Sequence, residues 1–152
     1  MSPSQLRGRV LAERIAWVRT MLEAIRTLPL DTLEQFHSDR RNMAAAESYL
    51  RRALEALFDL GRHILAKGFG EAVIEYKGIG QGLVRRGVLS EKEGELFRTL
   101  AGYRNRMVHF YQEVSEPELY EVCSRRLGDI EAMLKTFLRW VEAHPEKVDH
   151  SL

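Results

Sequence analysis

The chain has 152 residues, 45% of them apolar, and a formal net charge of +1. This is the size and composition of one globular domain that can bury a core without covalent staples, and it excludes a disordered chain. The near-neutral balance excludes the uniformly basic surface of many nucleic-acid binders, so any RNA or DNA contact must come from a local patch.

No apolar run approaches the length of a membrane span. Residues 1–9 carry no apolar core of a signal peptide. Cys123 is the single cysteine and has no internal partner, so a reducing, cytoplasmic setting is expected. The basic residues are 18 Arg against 5 Lys, with Arg-Arg pairs at 40–41, 51–52, 85–86 and 125–126. Guanidinium suits bidentate phosphate contact better than ammonium does, although such pairs also serve as ordinary solvated helix faces.

In chain order, Leu11, Ile15, Val18, Leu22 and Ile25 step by fours and threes, which predicts an amphipathic helix from Leu6 to Leu28. Pro29 ends it. Asp31 with Glu34 resembles a capping box and predicts a helical turn over Thr32 to Phe36. Ser38-Asp39 caps a long helix from Arg40 to Lys67, with Met43, Ala46, Leu50, Ala53, Leu54, Leu57, Ile64 and Leu65 on its apolar side. Gly68 and Gly70 stop it. Gly78, Gly80 and Gly82 weaken any helix in the next segment, which reads as a loop and then a short helix ending at Gly87.

Ser90 and Glu93 form a capping box for a helix that turns Leu96, Leu100, Tyr103, Met107 and Phe110 inward. Ser115 and Pro117 open the last helix, where Leu119, Cys123, Leu127, Ile130, Leu134, Phe137 and Val141 form one heptad-like series. No convincing alternating strand pattern appears. The expected fold is all-α: an up-and-down bundle of four main helices with one or two short ones. It forms a single domain over residues 1–143, followed by a polar, frayed tail over 144–152.

Chemistry concentrates at Arg104-Asn105-Arg106-Met107-Val108-His109-Phe110-Tyr111. Arginine holds phosphate through its planar fork, and histidine moves protons near neutral pH. On a regular helix Arg104 and His109 stand about 140° apart, so they converge on one atom only if the helix end is distorted, Arg reaches around, or a second copy faces the first. The spacing therefore favours a composite site in a homodimer. Such a site suits RNA cleavage by the 2′-hydroxyl. His109 would transfer the proton, Arg104 would neutralise charge on the phosphorane-like transition state, and Asn105 would orient its neighbours. The reading requires neither metal nor cofactor.

The same run resembles the R-x4-H-x-Y motif of the HepT toxins, a branch of the HEPN superfamily. Ala101-Gly102-Tyr103 resembles the lead-in to that motif. The helix with Leu54, Asp59, His63 and Ile64-Leu65, the turn Gly87-Val88-Leu89-Ser90, and the segment Val114 to Tyr120 resemble the family's flanking elements. The likeness runs from about Ile15 to Val141. It implies an all-helical homodimer with metal-independent endoribonuclease activity, with Arg104 and His109 as the catalytic pair and Asn105 in support. It also implies a partner, an MntA-type nucleotidyltransferase antitoxin that transfers AMP from ATP to Tyr111. Two readings of other classes stand beside it: a non-catalytic nucleotide- or partner-binding module that docks the nucleotidyltransferase, and a plain helical interaction protein.

Other polar residues carry weaker signals. Asp59 and His63 lie four apart and can pair, but a metal site needs more ligands. His37 is isolated, and His144 and His150 lie in the tail. The run Gly78-Ile79-Gly80-Gln81-Gly82 lacks the preceding strand and spacing of a dinucleotide fingerprint. Cys123 falls on an apolar stripe and reads as core. Trp17 and Trp140 read as packing between terminal helices or at a dimer contact.

Overall fold

A computed structural model describes residues 4–109 and 114–151. Its axis is the long helix α3 (Arg40–His63), capped by the Asp39 carboxylate, which accepts the Arg41 amide proton at 2.9 Å. Ala46, Leu50, Ala53, Leu54, Ala56, Leu57, Phe58, Leu60 and Gly61 are all buried on it. That is more than one stripe, because neighbours cover α3 on several sides. α1 (Gly8–Arg26), α2 (Leu33–His37), α4 (Tyr76–Arg85), α5 (Glu91–Val108), α6 (Glu116–Arg125) and α7 (Leu127–Ala143) all contact it. The core is apolar: Phe36, Phe58, Phe97 and Phe137 are fully buried, and no polar side chain is buried among the described residues.

The all-helical expectation holds, and several boundaries shift for physical reasons. α2 is capped by Thr32, whose hydroxyl accepts from the Gln35 amide at 3.1 Å, not by Asp31 one residue earlier. α3 continues into a wider π turn over Ile64–Gly68, which keeps both Ile64 and Leu65 inside. The expected single last helix is two, α6 and α7, broken at Arg126, where ψ is 4°. Both sides of the break are buried, Leu119, Val122 and Cys123 before it and Leu127, Ile130, Met133, Leu134 and Phe137 after it.

The segment from Glu71 to Gly87 is a loop and then a short helix, as expected, and α4 takes in all three glycines of the Gly78 to Gly82 stretch despite their weak propensity. A Cβ on Gly80 would lie 2.7 Å from Phe97 Cδ1, and one on Gly94 would lie 2.4 Å from Val84 Cγ2. Close packing of α4 on α5 requires glycine at both positions, and this outweighs their poor propensity. Gly87 ends α4 with φ of +78°; its amide bonds Val84 O, and the Val88 amide bonds Leu83 O. This is the left-handed helix stop that glycine adopts without strain. The Ser90–Glu93 capping box then opens α5 with both reciprocal bonds formed.

The tail is packed where fraying was expected. A two-residue strand β1 (Leu6–Arg7) pairs in parallel with β2 (Val148–Asp149). Leu6 is fully buried and Val148 nearly so. Lys147 Nζ donates to Gly68 O at 3.1 Å, and the Ser4 amide donates to Lys67 O at 2.8 Å, so both termini close over the end of α3.

Candidate active site

The motif residues lie on the last turns of α5. The helix stops at Val108, and His109 takes an extended backbone with φ of −99° and ψ of 103° while its amide still bonds Asn105 O at 3.2 Å. The regular-helix geometry expected of the Arg104–His109 interval therefore ends one residue short of the histidine. His109 and Asn105 are both exposed. Phe110 and Tyr111 lie outside the described residues, as does the expectation that Phe110 turns inward.

Arg104 is held by its surroundings in a specific way. Its guanidinium lies over the Tyr76 ring, 4.8 Å from the centroid. Nη2 donates to Glu55 Oε2 at 3.3 Å and Nη1 to Asn105 Oδ1 at 3.4 Å. Both are long for charge-assisted bonds, which ordinarily measure about 2.7–2.9 Å. Nε is buried with no hydrogen-bond partner among the described residues. The side chain is 23% exposed. Stacking thus orients the guanidinium, and its hydrogen-bonding edges are only loosely occupied.

The support beneath it reaches into the core. Tyr76 meets Phe58 at 4.8 Å between centroids, and Phe58 meets Phe97 at 4.9 Å. Glu55 also takes Arg51 Nη1 at 2.7 Å, so one carboxylate joins two guanidinium groups. Arg62 is tied more tightly: it donates to Asp59 at 2.7 Å, to Val73 O at 3.1 Å and to Ile74 O at 3.0 Å. It pins the segment before α4 and stands 5.5 Å from the Tyr76 centroid. Arg62, Ile74, Tyr76, Lys77, Arg104 and Asn105 line a cleft of about 450 Å³.

The sequence singles out Arg104, Asn105 and His109 but does not point to Glu55, Tyr76 and Arg62, which surround Arg104 in the structure. The Arg51–Glu55 spacing is a readable helix pair. The Arg104–Glu55 contact spans 49 positions and is decided by how α5 lies on α3.

The other expectations also resolve. Asp59 bonds Arg62 and stands 3.9 Å from Arg14, and His63 Nε2 instead accepts the Arg7 amide proton at 3.0 Å. His63 has its pKa lowered to about 4, first by burial and then by Lys67, Arg7 and Arg14. His37 is not isolated: its Nδ1 lies 2.5 Å from Glu116 Oε2. His144 stacks on Trp140 at 4.4 Å, and its Nδ1 lies 2.7 Å from Trp140 O. Trp140 packs on Phe69, and Trp17 stays 44% exposed. Cys123 is core, and burial raises its thiol pKa to about 12. Among the described residues no group of three or more His, Cys, Asp or Glu side chains could hold a metal ion, and no helix is long and apolar enough to cross a membrane.

Among the described residues the domain is seven α-helices, six of them contacting α3, with the Arg-Asn-x3-His run at the end of α5. The fold is similar to that of a tri-AMPylated HEPN toxin from Shewanella oneidensis, solved in complex with its MNT antitoxin. That pair has a TM-score of 0.78 and 21% identity, covering 86% of this chain and 97% of the other. A toxin–antitoxin solved with AMP-PNP has a TM-score of 0.76 and 20% identity, covering 84% and 97%. The cytosolic protein YutE of Bacillus subtilis, of unknown function, has a TM-score of 0.72 and 19% identity, covering 91% and 93%. Comparison with the curated proteins finds no match. The family model described as "Ribonuclease HepT-like" matches residues 18–137, and the chain belongs to that family.

Proposed function

We propose that this protein is the endoribonuclease toxin of a HepT–MntA-like toxin–antitoxin pair, acting as a homodimer and without a metal. The observation that carries this reading is Arg104 itself. Its guanidinium is oriented by a ring and loosely tied at its edges, five residues before a histidine that leaves the helix. A phosphodiester oxygen could replace the long contacts to Glu55 and Asn105 with shorter ones.

In the reaction proposed, the 2′-hydroxyl oxygen attacks phosphorus and the bond to the 5′ oxygen breaks. The products are a 2′,3′-cyclic phosphate and a 5′-hydroxyl. His109 moves the proton, from the attacking hydroxyl or to the leaving oxygen. Arg104 stabilises the charge that gathers on the equatorial oxygens. Asn105 supplies a supporting polar group beside the guanidinium, and a second copy of the motif completes the site. Tyr111 is the control point: AMP transferred there by an MntA-like nucleotidyltransferase adds bulk and phosphate charge two residues from His109. Family membership supports the ribonuclease, and the AMPylated, antitoxin-bound state of the Shewanella oneidensis toxin supports the partner and the modification.

The test is cleavage of RNA in EDTA by purified protein shown by intact mass to be unmodified, beside its His109→Ala variant. Wild type is expected to cleave, and the variant to lose on the order of 10²-fold or more of the rate. Failure of the unmodified wild type across several RNA classes would favour the docking-module reading.

A further inference from the structure

The cleft beside Arg104 has a composition of its own. Ile74 is 89% exposed, an unusual state for a large aliphatic side chain, and it stands on the cleft rim. Its backbone is tied down: Arg62 donates to the carbonyls of both Val73 and Ile74 while bonded to Asp59. Tyr76, Lys77 and the Arg104–Asn105 pair line the same cleft. Its lining cations are Arg62, paired with Asp59, Arg104, loosely paired with Glu55, and Lys77; its lining carboxylate is Glu75. At about 450 Å³ the cleft falls within the size range of small-ligand sites, roughly 300–1,000 Å³.

We propose that this cleft receives one nucleotide of single-stranded RNA next to the phosphate held by Arg104, its base lying against Ile74 and the guanidinium planes and its own phosphate on Lys77. The proposal rests on the ribonuclease reading and names how that site holds its substrate. Unpaired bases are recognised by flat or apolar surfaces that accept their faces, and guanidinium planes serve as well as rings. The Asn105 amide offers a donor and an acceptor to a base edge. A duplex keeps its bases stacked inward and cannot insert one here, so the site selects single strands. Lys77 also borders a second cleft of about 350 Å³, lined by Arg85 and Arg98 but also by Glu91 and Glu95.

The experiment is fluorescence anisotropy with a 2′-O-methyl single-stranded oligonucleotide, which binds without being cleaved, titrated at several salt concentrations. Wild type is compared with Ile74→Ala and Lys77→Ala. Both side chains are exposed, and matched thermal melts confirm folding. Ile74→Ala is expected to weaken binding about fivefold with an unchanged salt slope, as loss of an apolar contact does. Lys77→Ala is expected to lower the slope of log K against log salt by about 0.7, one phosphate contact on a single strand.

Wild-type binding that neither substitution alters, or no wild-type binding at all, overturns the proposal. Cleavage by wild type with unchanged KM and Kd in both variants removes the cleft and leaves the ribonuclease standing. Binding that both substitutions weaken, in a protein that cleaves no RNA, does the reverse.

Discussion

His63 Nε2 accepts the Arg7 amide proton at 3.0 Å, a bond that only the neutral ring can make. Its folded pKa of about 4 lies below the ordinary 6.5. Between those values the unfolded chain holds the extra proton, so stability rises with pH across that window and is lost as pH falls through it. The contribution is on the order of 1–2 kcal/mol, because the ring is partly open to water and the repulsion from Lys67, Arg7 and Arg14 is screened. The urea midpoint of wild type is therefore expected to drop between pH 6.5 and 4.5, and that of His63→Leu to drop less. Equal slopes in the two proteins would place the acid sensitivity elsewhere. Arg104 shows the opposite arrangement: it has no deeply buried counter-ion, only long bonds and a ring beneath it. One side chain closes the fold, and the other is held by loose contacts.

Among the elements, α4 and α5 set the position of the site, and glycines set α4 on α5. Helix propensity alone says that Gly80→Ala should stabilise, since glycine costs a helix about 0.5–1 kcal/mol. The structure reverses the sign, because the new Cβ would meet Phe97 at 2.7 Å, and overpacking of that kind costs about 1–3 kcal/mol. On the motif helix, a Cβ at Gly102 would meet nothing within 4 Å, so Gly102→Ala is expected to gain about the propensity term. Thermal melts of the two variants should move in opposite directions; a shared direction would refute the packing account. The caps at Ser90, Asp39 and Ser115 were legible because a cap is a local event between neighbours. The glycines were not, because sequence shows their cost without the neighbour that offsets it. The break at Arg126 was hidden for a related reason: the apolar series continues through it, and only the packing of α6 and α7 on α3 requires the bend.

At the scale of the whole molecule, the two ends of the chain meet. Leu6 and Val148 are buried together in a parallel pair, and the Trp140–His144 stack leads into it. Burying side chains of this size is worth about 1.5–3 kcal/mol each. A chain ending at Ala143 loses Val148 and uncovers Leu6, and it is expected to unfold with a stability loss of about 2–4 kcal/mol, read as a lower melting temperature. A truncated protein that melts with wild type would show the closure to be dispensable. The seam also joins the end of α3 to both termini through Lys67, Gly68 and Lys147. The helix that carries Glu55 beneath Arg104 is thereby anchored at its far end.

The all-helical class, most of the helix starts and the Arg-Asn-x3-His run can be read from the sequence alone. Each is written in periodicity, caps or a contiguous motif, all of which act over a few neighbouring residues. Tertiary structure alone decided that Gly80 and Gly94 are contact points, that the tail is packed, and that Glu55 and Tyr76 hold Arg104. Those outcomes depend on which surfaces α3, α4 and α5 bring together across tens of residues. No local pattern encodes such an encounter; it follows from the joint burial of every apolar face.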